Sequence, residues 1–342
     1  MIGWKPKFRD FNVASVRYRC LNPLVELQRR RFPIELFDES KLREYSAVIF
    51  SKLYDDENYE IARSLKRRGK AVVFDICDNH FYNPYRLERF ELVRKQLLRI
   101  LGIADLVVAS TATLAAVLVE EARLTSLPVV IGDAVEENVA PNGDTKSWLV
   151  RLGARSRPKG KIRHDELANI LWFGIHGGEN AAYGMLDLLD QKDLLLKISK
   201  THPLQLVVVS DSRAKFVRYI EPLPLKTIYL EWGSMPLAEI LHQIDVAIIP
   251  ISQNPFTVCK TNNRLAAALY GGVPTVADEI PSYRDLAPYC VLNDWEFGLR
   301  LYLDNRAIGR EHVKSAKAYI SEHYSIKQIG DSWAQNLLKF SD

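Results

Sequence analysis

The stretch Cys259-Lys-Thr-Asn-Asn-Arg-Leu-Ala-Ala-Ala-Leu-Tyr-Gly-Gly-Val-Pro274 predicts a helix that begins in a polar, cationic segment. Thr261 or Asn262 has the side chain of a helix N-cap, the run to Tyr270 has the small and apolar residues of a packed helix, and the glycine pair ends it. The helix is thus bounded by signals at both ends, and its unusual feature is the charge at its start.

Lys260 and Arg264 stand at the unfavourable end of this predicted helix. A helix N-terminus carries roughly half a positive charge, and like charges spaced i, i+4 repel by about 0.2–0.5 kcal/mol. A bound anion would make this electrostatic arrangement favourable. The groups that could bind a phosphate are the backbone N–H groups, the amides of Asn262 and Asn263 and the two cationic side chains. The segment therefore predicts a phosphate site.

The composition is that of a globular protein with room for two α/β domains. The chain has 342 residues, of which 47% are hydrophobic and 26% charged. It has no run of about 18 apolar residues, and its opening lacks the apolar core of a signal peptide, so we expect a cytoplasmic protein. Four scattered cysteines without a C-x-x-C pair argue against disulfides and a structural zinc site.

The net charge of +4 is small for a nucleic-acid binder, and we expect no nucleic-acid partner. Basic residues nevertheless concentrate in the first third of the chain, at 4–9, 29–31 and 66–68. One interpretation is peripheral contact with anionic lipid at the inner face of the membrane. The alternative is a set of ordinary helix ends, where cations are favourable.

Short apolar runs alternate with amphipathic segments, which is the pattern of parallel, doubly wound sheets. In the first half of the chain the predicted strands are Pro33–Phe37, Ala47–Phe50, Ala71–Phe74, Leu106–Ala109 and Val129–Ile131. After a polar, basic linker over 136–166, the predicted strands are Ile170–Phe173, Leu206–Val209, Thr227–Leu230, Val246–Ile249 and Thr275–Ala277. The sequence thus predicts an α/β protein of two Rossmann-like domains, 1–150 and 165–325.

An amphipathic helix from about Ile326 to Phe340 has no strand after it. We expect this segment, 326–342, to cross back and pack on the first domain. Two doubly wound domains joined by one linker are expected to face each other across a cleft, where ligands of open α/β sheets bind.

One candidate loop near the start of the chain is Ser15-Val-Arg17-Tyr-Arg19, before a helix that we predict to open at Asn22-Pro23. Arginines near a helix N-terminus can contact an anion. The alternative, a pair of surface arginines, is equally consistent with the pattern.

Asp75, Asp78 and His80 follow a predicted buried strand. Polar groups there are costly to desolvate unless they are used, and His80 with either aspartate could act in acid–base catalysis. The spacing is not that of a metal site, and no metal is expected. The alternative is that the aspartates cap the helix that follows.

A glycine loop, Gly174-Ile-His176-Gly-Gly-Glu-Asn180, follows the first strand of the second domain. Its glycines allow backbone to approach a ligand around His176, but their order is not the dinucleotide fingerprint. The loop is either a ligand loop or a turn. Trp232, after another strand, either stacks on a nucleobase or belongs to the core.

The succession of these segments resembles the GT-B glycosyltransferases, particularly the family 4-like, group 1 type. Residues 260–286 are similar to the donor-binding segment of that family, and Asp245–Pro250 resembles the strand before it. Ala104–Ser110 resembles the last part of the family's N-terminal domain, and Ser15–Arg19 its opening loop. The resemblance covers most of the chain, in order.

This resemblance implies transfer of a sugar from a nucleotide diphosphate sugar to a glycan, lipid-linked or small-molecule acceptor, in surface polysaccharide or glycoconjugate biosynthesis. The donor would contact the C-terminal domain, at Lys260, Asn262, Asn263, Arg264, Gly174, His176 and Trp232. The N-terminal domain would hold the acceptor or a phosphate at Ser15, Arg17 and Arg19, with the catalytic candidates Asp75, Asp78 and His80. Such folds need no metal or other cofactor, because cations neutralise the leaving diphosphate.

Two features of the resembled family are missing. Retaining members carry paired glutamates ahead of the Gly-x-Pro, and this chain has Cys259 and Ala267 at those places. The Arg–Lys pair of the glycine loop is also absent, which leaves Lys260 and Arg264 to carry the diphosphate. The stereochemistry stays open, and the alternatives are a catalytically degenerate nucleotide-sugar-binding relative or a nucleotide-sugar epimerase of the same fold.

Overall fold

The computed structural model describes residues 1–8, 13–136, 162, 166–179 and 181–341. The chain divides into two compact units. Unit 1 comprises Met1–Glu137, Val258–Thr261 and Glu322–Asp342, and unit 2 comprises Asn138–Thr257 and Asn262–Ser321. Nearly all of the linker predicted over 136–166, as well as Arg9 and Asn180, lies outside the described residues.

Unit 1 is built on a parallel six-stranded sheet in the order β2-β1-β3-β4-β5-β6. Its strands are β1 (Ile2–Pro6), β2 (Ile34–Leu36), β3 (Ala47–Ser51), β4 (Ala71–Ile76), β5 (Leu106–Ala109) and β6 (Val129–Val130). Its first helices are α1 (Ala14–Val16), a π-helical turn (Arg17–Leu21), α2 (Asn22–Arg29), α3 (Asp56–Arg67), α4 (Glu88–Leu101) and α5 (Ala112–Ala122).

Strand β1 corrects one sequence interpretation. The basic opening segment, which suggested a surface element, contains a central strand that pairs with both β2 and β3. Trp4 is fully buried, and its ring centroid lies 4.7 Å from that of Trp333. Lysines and a proline in the same short run concealed the strand, because they interrupt the apolar pattern that identifies buried strands.

Helix α2 begins at Asn22, as predicted, but the segment before it differs from the prediction, since α1 and the π-helical turn make the chain helical from Ala14 onward. Proline lacks an N–H and clashes with the carbonyl four residues earlier, so Pro23 is poorly suited to a regular α-helix interior. The π-helical turn accommodates it, and the backbone N–H of Asn22 donates to the carbonyl of Arg17, five residues back. The Ser15–Arg19 segment is therefore helical and not a loop.

Unit 2 has a second parallel sheet in the order β12-β11-β10-β7-β8-β9. Its strands are β7 (Ala168–Phe173), β8 (Leu204–Ser210), β9 (Lys226–Glu231), β10 (Val246–Ile249), β11 (Thr275–Ala277) and β12 (Val291–Leu292). The α-helices of its described residues are α6 (Lys192–Ser199), α7 (Arg213–Tyr219), α8 (Leu237–Leu241), α9 (Asn263–Tyr270), α10 (Trp295–Asp304) and α11 (Arg306–His323). The predicted class of two doubly wound α/β sheets is confirmed.

The last helix, α12 (Ile326–Leu337), packs on α2 in unit 1, as the sequence predicted. Trp333 and Leu337 are fully buried in the same apolar cluster as Leu24 and Leu27. Gly330 permits this close packing, because an added Cβ would lie 2.7 Å from Cγ of Glu26. None of the helices in the described part of the chain has the length and hydropathy of a membrane span.

Candidate functional site

Asp75 and Arg19 form a buried ion pair under the carboxyl edge of the unit 1 sheet. Asp75 is 0% exposed and Arg19 is 1% exposed. The guanidinium donates to Asp75, to the carbonyl of Gly132 at 3.1 Å and to Asp133 at 3.4 Å, while the hydroxyl of Ser51 donates to Asp75 at 2.8 Å. Burial alone would lower the pKa of Arg19, and the Asp75 carboxylate raises it. This geometry makes both residues parts of the framework.

Asp78 lies between two lysines at the same edge. Lys52, after β3, binds one carboxylate oxygen, and Lys260 binds the other. Burial alone would raise the pKa of Asp78, but Lys260 and Lys52 hold it well below its usual range. Asp78 is consequently a fixed carboxylate, and Lys260 already has a counter-charge within unit 1.

His80 is a titratable group next to the cluster of Lys52, Asp78 and Lys260. Its Nδ1 lies 2.9 Å from the hydroxyl of Tyr54, and its Nε2 lies 3.9 Å from Asp78. Burial and then the charge of Lys52 lower the pKa of His80 to about 3, so the imidazole is neutral at neutral pH. Burial raises the pKa of Tyr54 to about 12, which keeps its hydroxyl protonated. The phenol orients the ring, and the low pKa makes the imidazole a weak base in the absence of a ligand.

Ser15 and Arg17 lie on the first helical turns of unit 1. The Nε of Arg17 donates to Glu136 at 2.7 Å, and its guanidinium also stacks over the ring of Tyr18. Ser15 is partly buried. Arg17 therefore has a carboxylate partner, and the structure gives it no unmatched charge.

The segment that raised the phosphate prediction is divided between the two units. Val258–Thr261 belongs to unit 1, where Thr111 donates to the carbonyl of Cys259 at 3.0 Å and Thr261 donates to Asp133 at 2.6 Å. Asn262 is at the N-cap position of α9, as predicted, but its side chain makes no capping hydrogen bond. Lys260 precedes the helix, so the i, i+4 repulsion inferred from the sequence does not operate within α9.

Arg264 lies in the first turn of α9 and points to the end of β7. A Cβ added at Gly174 would lie 3.3 Å from Nη1 of Arg264, and the guanidinium also hydrogen-bonds to the buried Tyr283. Asp187 is close enough to interact electrostatically, but no described carboxylate comes within 4.0 Å of Arg264. Arg264 is thus a partly buried cation without an ion-pair partner in the described chain, unlike Lys260.

The glycine loop after β7 has a closely packed backbone. Gly177 has φ +111°, and a Cβ there would lie 2.3 Å from the carbonyl oxygen of Tyr183. Asp211, which follows β8, accepts from the backbone N–H of His176 at 2.7 Å and contacts its Nδ1 at 3.0 Å. Lys215, on α7, donates to the carbonyl of His176 at 3.1 Å. The loop is therefore a fixed element and not an open turn.

Trp232 and Asn263 are the remaining candidates of unit 2, and both are partly buried. Trp232 is partly buried and packs against the apolar cluster around Val207 and Val209, which agrees with the core alternative for tryptophan. Asn263 is the first residue of α9 and is partly buried. Neither contact pattern identifies a ligand by itself.

The two positions at which the resembled family carries glutamates have different environments here. Cys259 is 0% exposed and belongs to an apolar cluster of unit 1. Ala267 is partly buried on α9. The described residues contain no group of three or more His, Cys, Asp or Glu side chains arranged to hold a metal ion.

Sequence reasoning missed Lys52, Tyr54, Asp211 and Lys215. Lys52 directly follows β3, Tyr54 is the third residue beyond β3, and Asp211 directly follows β8, so a systematic inspection of every strand end would have found these three. Lys215 lies five residues beyond β8, and only the fold brings it to the glycine loop.

No protein-family model matches the chain, and no curated protein sequence matches it. Among solved structures, that of Anabaena Alr3699/HepE in complex with UDP covers 99% of this chain and 99% of its own, with 13% identity and a TM-score of 0.65. The structure of TarM covers 89% of this chain with 14% identity and a TM-score of 0.62, while this chain covers 56% of TarM. The apo structure of OtsA covers 93% of this chain and 76% of its own, with 13% identity and a TM-score of 0.57.

These likenesses extend over both sheets at an identity that shows the fold alone. The architecture expected from the sequence resemblance is thereby confirmed, and the chain has the fold of the GT-B glycosyltransferases.

Proposed function

We propose that the chain is a glycosyltransferase that moves a sugar from a nucleotide diphosphate sugar to a glycan, lipid-linked or small-molecule acceptor, without a metal. The observation that carries the proposal is Arg264, a partly buried cation at the carboxyl end of β7 with no ion-pair partner among the described residues. Ligands of open α/β sheets bind at this end of the strands. The HepE structure of the same fold contains UDP.

The chemistry proposed for unit 2 is stabilisation of the leaving nucleoside diphosphate. Negative charge develops on the phosphate oxygen as the sugar bond breaks, and a fixed cation with N–H donors stabilises that charge. Arg264 offers planar N–H groups, and it lies in the first turn of α9, whose N-terminus favours an anion. Asn262 and Asn263, at the same terminus, remain candidates for phosphate or sugar contacts.

For unit 1 we retain His80 as the acid–base candidate if the transfer inverts. Asp78 is neutralised by two lysines and Asp75 is enclosed with Arg19, which leaves His80 as the base; its pKa of about 3 must rise on binding of an anionic substrate for it to take the proton of an acceptor hydroxyl. Asp78 and Tyr54 would then position His80. If the transfer retains, the donor phosphate itself can assist, and no protein base is required.

The test is a thermal-shift screen in EDTA with UDP, GDP, ADP, dTDP and CMP, followed by calorimetric titration of the nucleotide that raises the melting temperature. Arg264→Ala should weaken binding by about 1.5–3 kcal/mol, because it removes a charged hydrogen bond. Arg284→Ala is the matched control, since Arg284 is a 68% exposed arginine of unit 2 paired with Glu279. Equal affinities for wild type and Arg264→Ala would refute the assignment.

A catalytically degenerate nucleotide-sugar-binding protein is the second candidate, and the apolar environment of Cys259 together with Ala267 favours it. The two functions differ in one measurement. An enzyme consumes its donor, at least by hydrolysis, and a degenerate relative binds the donor and leaves it intact. Product analysis after incubation with the sugar conjugate of the nucleotide identified above distinguishes them.

Peripheral contact with an anionic membrane is a separate proposal, for a cytoplasmic protein. The basic residues of two of the three runs are partly neutralised by acidic partners, which weakens the charge argument for membrane contact. Arg29 and Arg30 both bind Glu26, and Lys66 binds Asp105. Salt-sensitive flotation with anionic liposomes would support the proposal, and absence of flotation at low salt would reject it.

A further inference from the structure

The glycine loop of unit 2 has a second cation beside it, contributed by the neighbouring strand–helix connection. Lys215 lies on α7, after β8, and its Nζ donates to the carbonyl of His176 at 3.1 Å. The same Nζ lies 3.6 Å from the position that a Cβ on Gly177 would occupy. Lys215 thus contacts the centre of the loop, whereas Arg264 contacts its first residue, Gly174.

Lys215 differs from the cations of unit 1 in its charge balance. Lys52, Lys260 and Arg19 each form an ion pair with an aspartate. Within the described residues no carboxylate comes within 4.0 Å of Lys215, although its side chain is partly buried. An ammonium has three N–H donors, and the carbonyl of His176 uses one of them. A partly desolvated ammonium with donors to spare is favourable where an anion completes its contacts.

The loop holds the ammonium in place before any ligand arrives. The N–H of His176 is fixed by Asp211 at 2.7 Å, and the hydroxyl of Ser210 donates to the carbonyl of Gly174 at 2.8 Å. A Cβ on Gly184 would lie 2.6 Å from the backbone nitrogen of Gly177, and a Cβ on Gly177 would overlap the carbonyl oxygen of Tyr183. The N–H of Met185 also reaches the carbonyl of His176, at 3.4 Å. Because the acceptor of Lys215 is anchored on both sides, the ammonium is preorganised.

We propose that Lys215 binds the diphosphate of the donor together with Arg264, so that the glycine loop presents one cation at its start and one at its centre. This inference rests on the proposed function for the identity of the ligand. Two cations on one loop match a ligand with two adjacent phosphates better than a monophosphate, and Lys215 is therefore a determinant of selectivity for nucleoside diphosphates over nucleoside monophosphates. Its ammonium acts as a point charge that follows the phosphate oxygens, and Arg264 as the planar donor.

The test compares wild type, Lys215→Met, Lys215→Arg and Lys226→Met by isothermal titration calorimetry. Methionine keeps the length and apolar stem of the side chain and removes the charge, and arginine restores the charge if methionine impairs folding. Lys226→Met is the matched control, because Lys226 is an exposed lysine at the start of β9 in the same unit. The probes are UDP, GDP and ADP, the corresponding monophosphates and inorganic pyrophosphate.

Lys215→Met should weaken binding of the preferred diphosphate at least 10-fold and that of its monophosphate less than 3-fold, while Lys215→Arg stays within 3-fold of wild type for the diphosphate. Equal losses for both nucleotides would overturn the selectivity, and unchanged diphosphate affinity in Lys215→Met would overturn the inference. Titration with pyrophosphate distinguishes a failure of this inference from a failure of the proposed function. Pyrophosphate binding that depends on Lys215, without binding of any nucleotide, would support the phosphate site and contradict the donor; no pyrophosphate or nucleotide binding by wild type would overturn both.

Discussion

The buried pair of Arg19 and Asp75 provides a direct test of whether Asp75 is structural or catalytic. In Asp75→Asn the side chain keeps its size but loses its negative charge. The guanidinium of Arg19 would then remain buried, and among the described residues Asp133, at 3.4 Å, would be its remaining carboxylate partner. The hydroxyl of Ser51 would also lose its charged acceptor.

The expected cost follows from this geometry. Breaking a buried ion pair by removing one partner typically costs about 3–5 kcal/mol, because it leaves an uncompensated charge away from water. Asp133 and the carbonyls of Ile131 and Gly132 also accept from Arg19 and reduce this loss, so we expect about 3 kcal/mol for Asp75→Asn. The matched control is Asp331→Asn, because Asp331 pairs with Arg30 in the same unit and is 48% exposed. Its removal should cost less than about 1 kcal/mol.

The assay is urea unfolding at pH 7 followed by tryptophan fluorescence, since Trp4 and Trp333 report on the core of unit 1. Nucleotide binding by the folded fraction of Asp75→Asn should equal that of wild type. A stability loss similar to that of Asp331→Asn would refute the structural assignment. It would restore the catalytic one if the variant then lost transfer activity without losing nucleotide affinity.

Further predictions concern one pKa and two packing positions. Burial and Lys52 lower the pKa of His80 to about 3, against about 6.5 in the unfolded chain, so its stabilising effect is complete above pH 6.5 and is lost as the pH falls toward 3. His80→Gln should therefore reduce the acid-induced loss of stability at pH 4.5 by about 2–3 kcal/mol, and an NMR titration showing a His80 pKa above 6 would contradict this. Gly271→Ala should cost about 1–3 kcal/mol in urea unfolding, since the new Cβ would overlap Cδ1 of the buried Leu241 and lie 3.0 Å from the carbonyl oxygen of Ala267; an equal cost of Gly271→Ala in wild type and in Leu241→Ala would contradict the stated clash. Gly177→Ala should cost at least about 1–3 kcal/mol of stability, because its φ is +111° and Tyr183 blocks the Cβ; an unchanged melting temperature would show that the loop is not fixed as described.

The sequence predicted most of the sheet framework because buried parallel strands are continuous apolar runs bounded by polar residues. Val246–Ile249 and Thr275–Ala277 match their predicted bounds, whereas β1 and β12 were missed. Strand β1 carries lysine and proline, and β12 has two residues, so neither shows the local signal. Their places in the sheets come from pairing with distant strands, which a local pattern does not contain.

The site residues were harder to predict, because whether a charged side chain has an ion-pair partner depends on which side chains lie next to it in the fold. Lys260 and Arg264 are four residues apart and looked equivalent in the sequence. In the structure Asp78 pairs with Lys260, whereas Arg264 approaches Gly174 and has no ion pair with any carboxylate in the described part of the chain. Asp75 and Asp78 likewise share one short segment, yet one is enclosed with Arg19 and the other binds two lysines. These distinctions depend on contacts between residues far apart in sequence.

The discontinuity of unit 1 has a consequence for how the chain folds during synthesis. Trp333 and Leu337 belong to the same buried cluster as Trp4 and Leu27, so the ribosome must release nearly the whole described chain before this cluster can close. The strands of unit 2, from Ala168 to Leu292, emerge earlier and can pair while the first sheet still exposes the apolar face that α12 covers. Domains of large proteins usually fold in order from the N-terminus. In this protein the first sheet to be made is the last to be completed, and a nascent chain stalled before residue 326 would expose that face to chaperones or to aggregation.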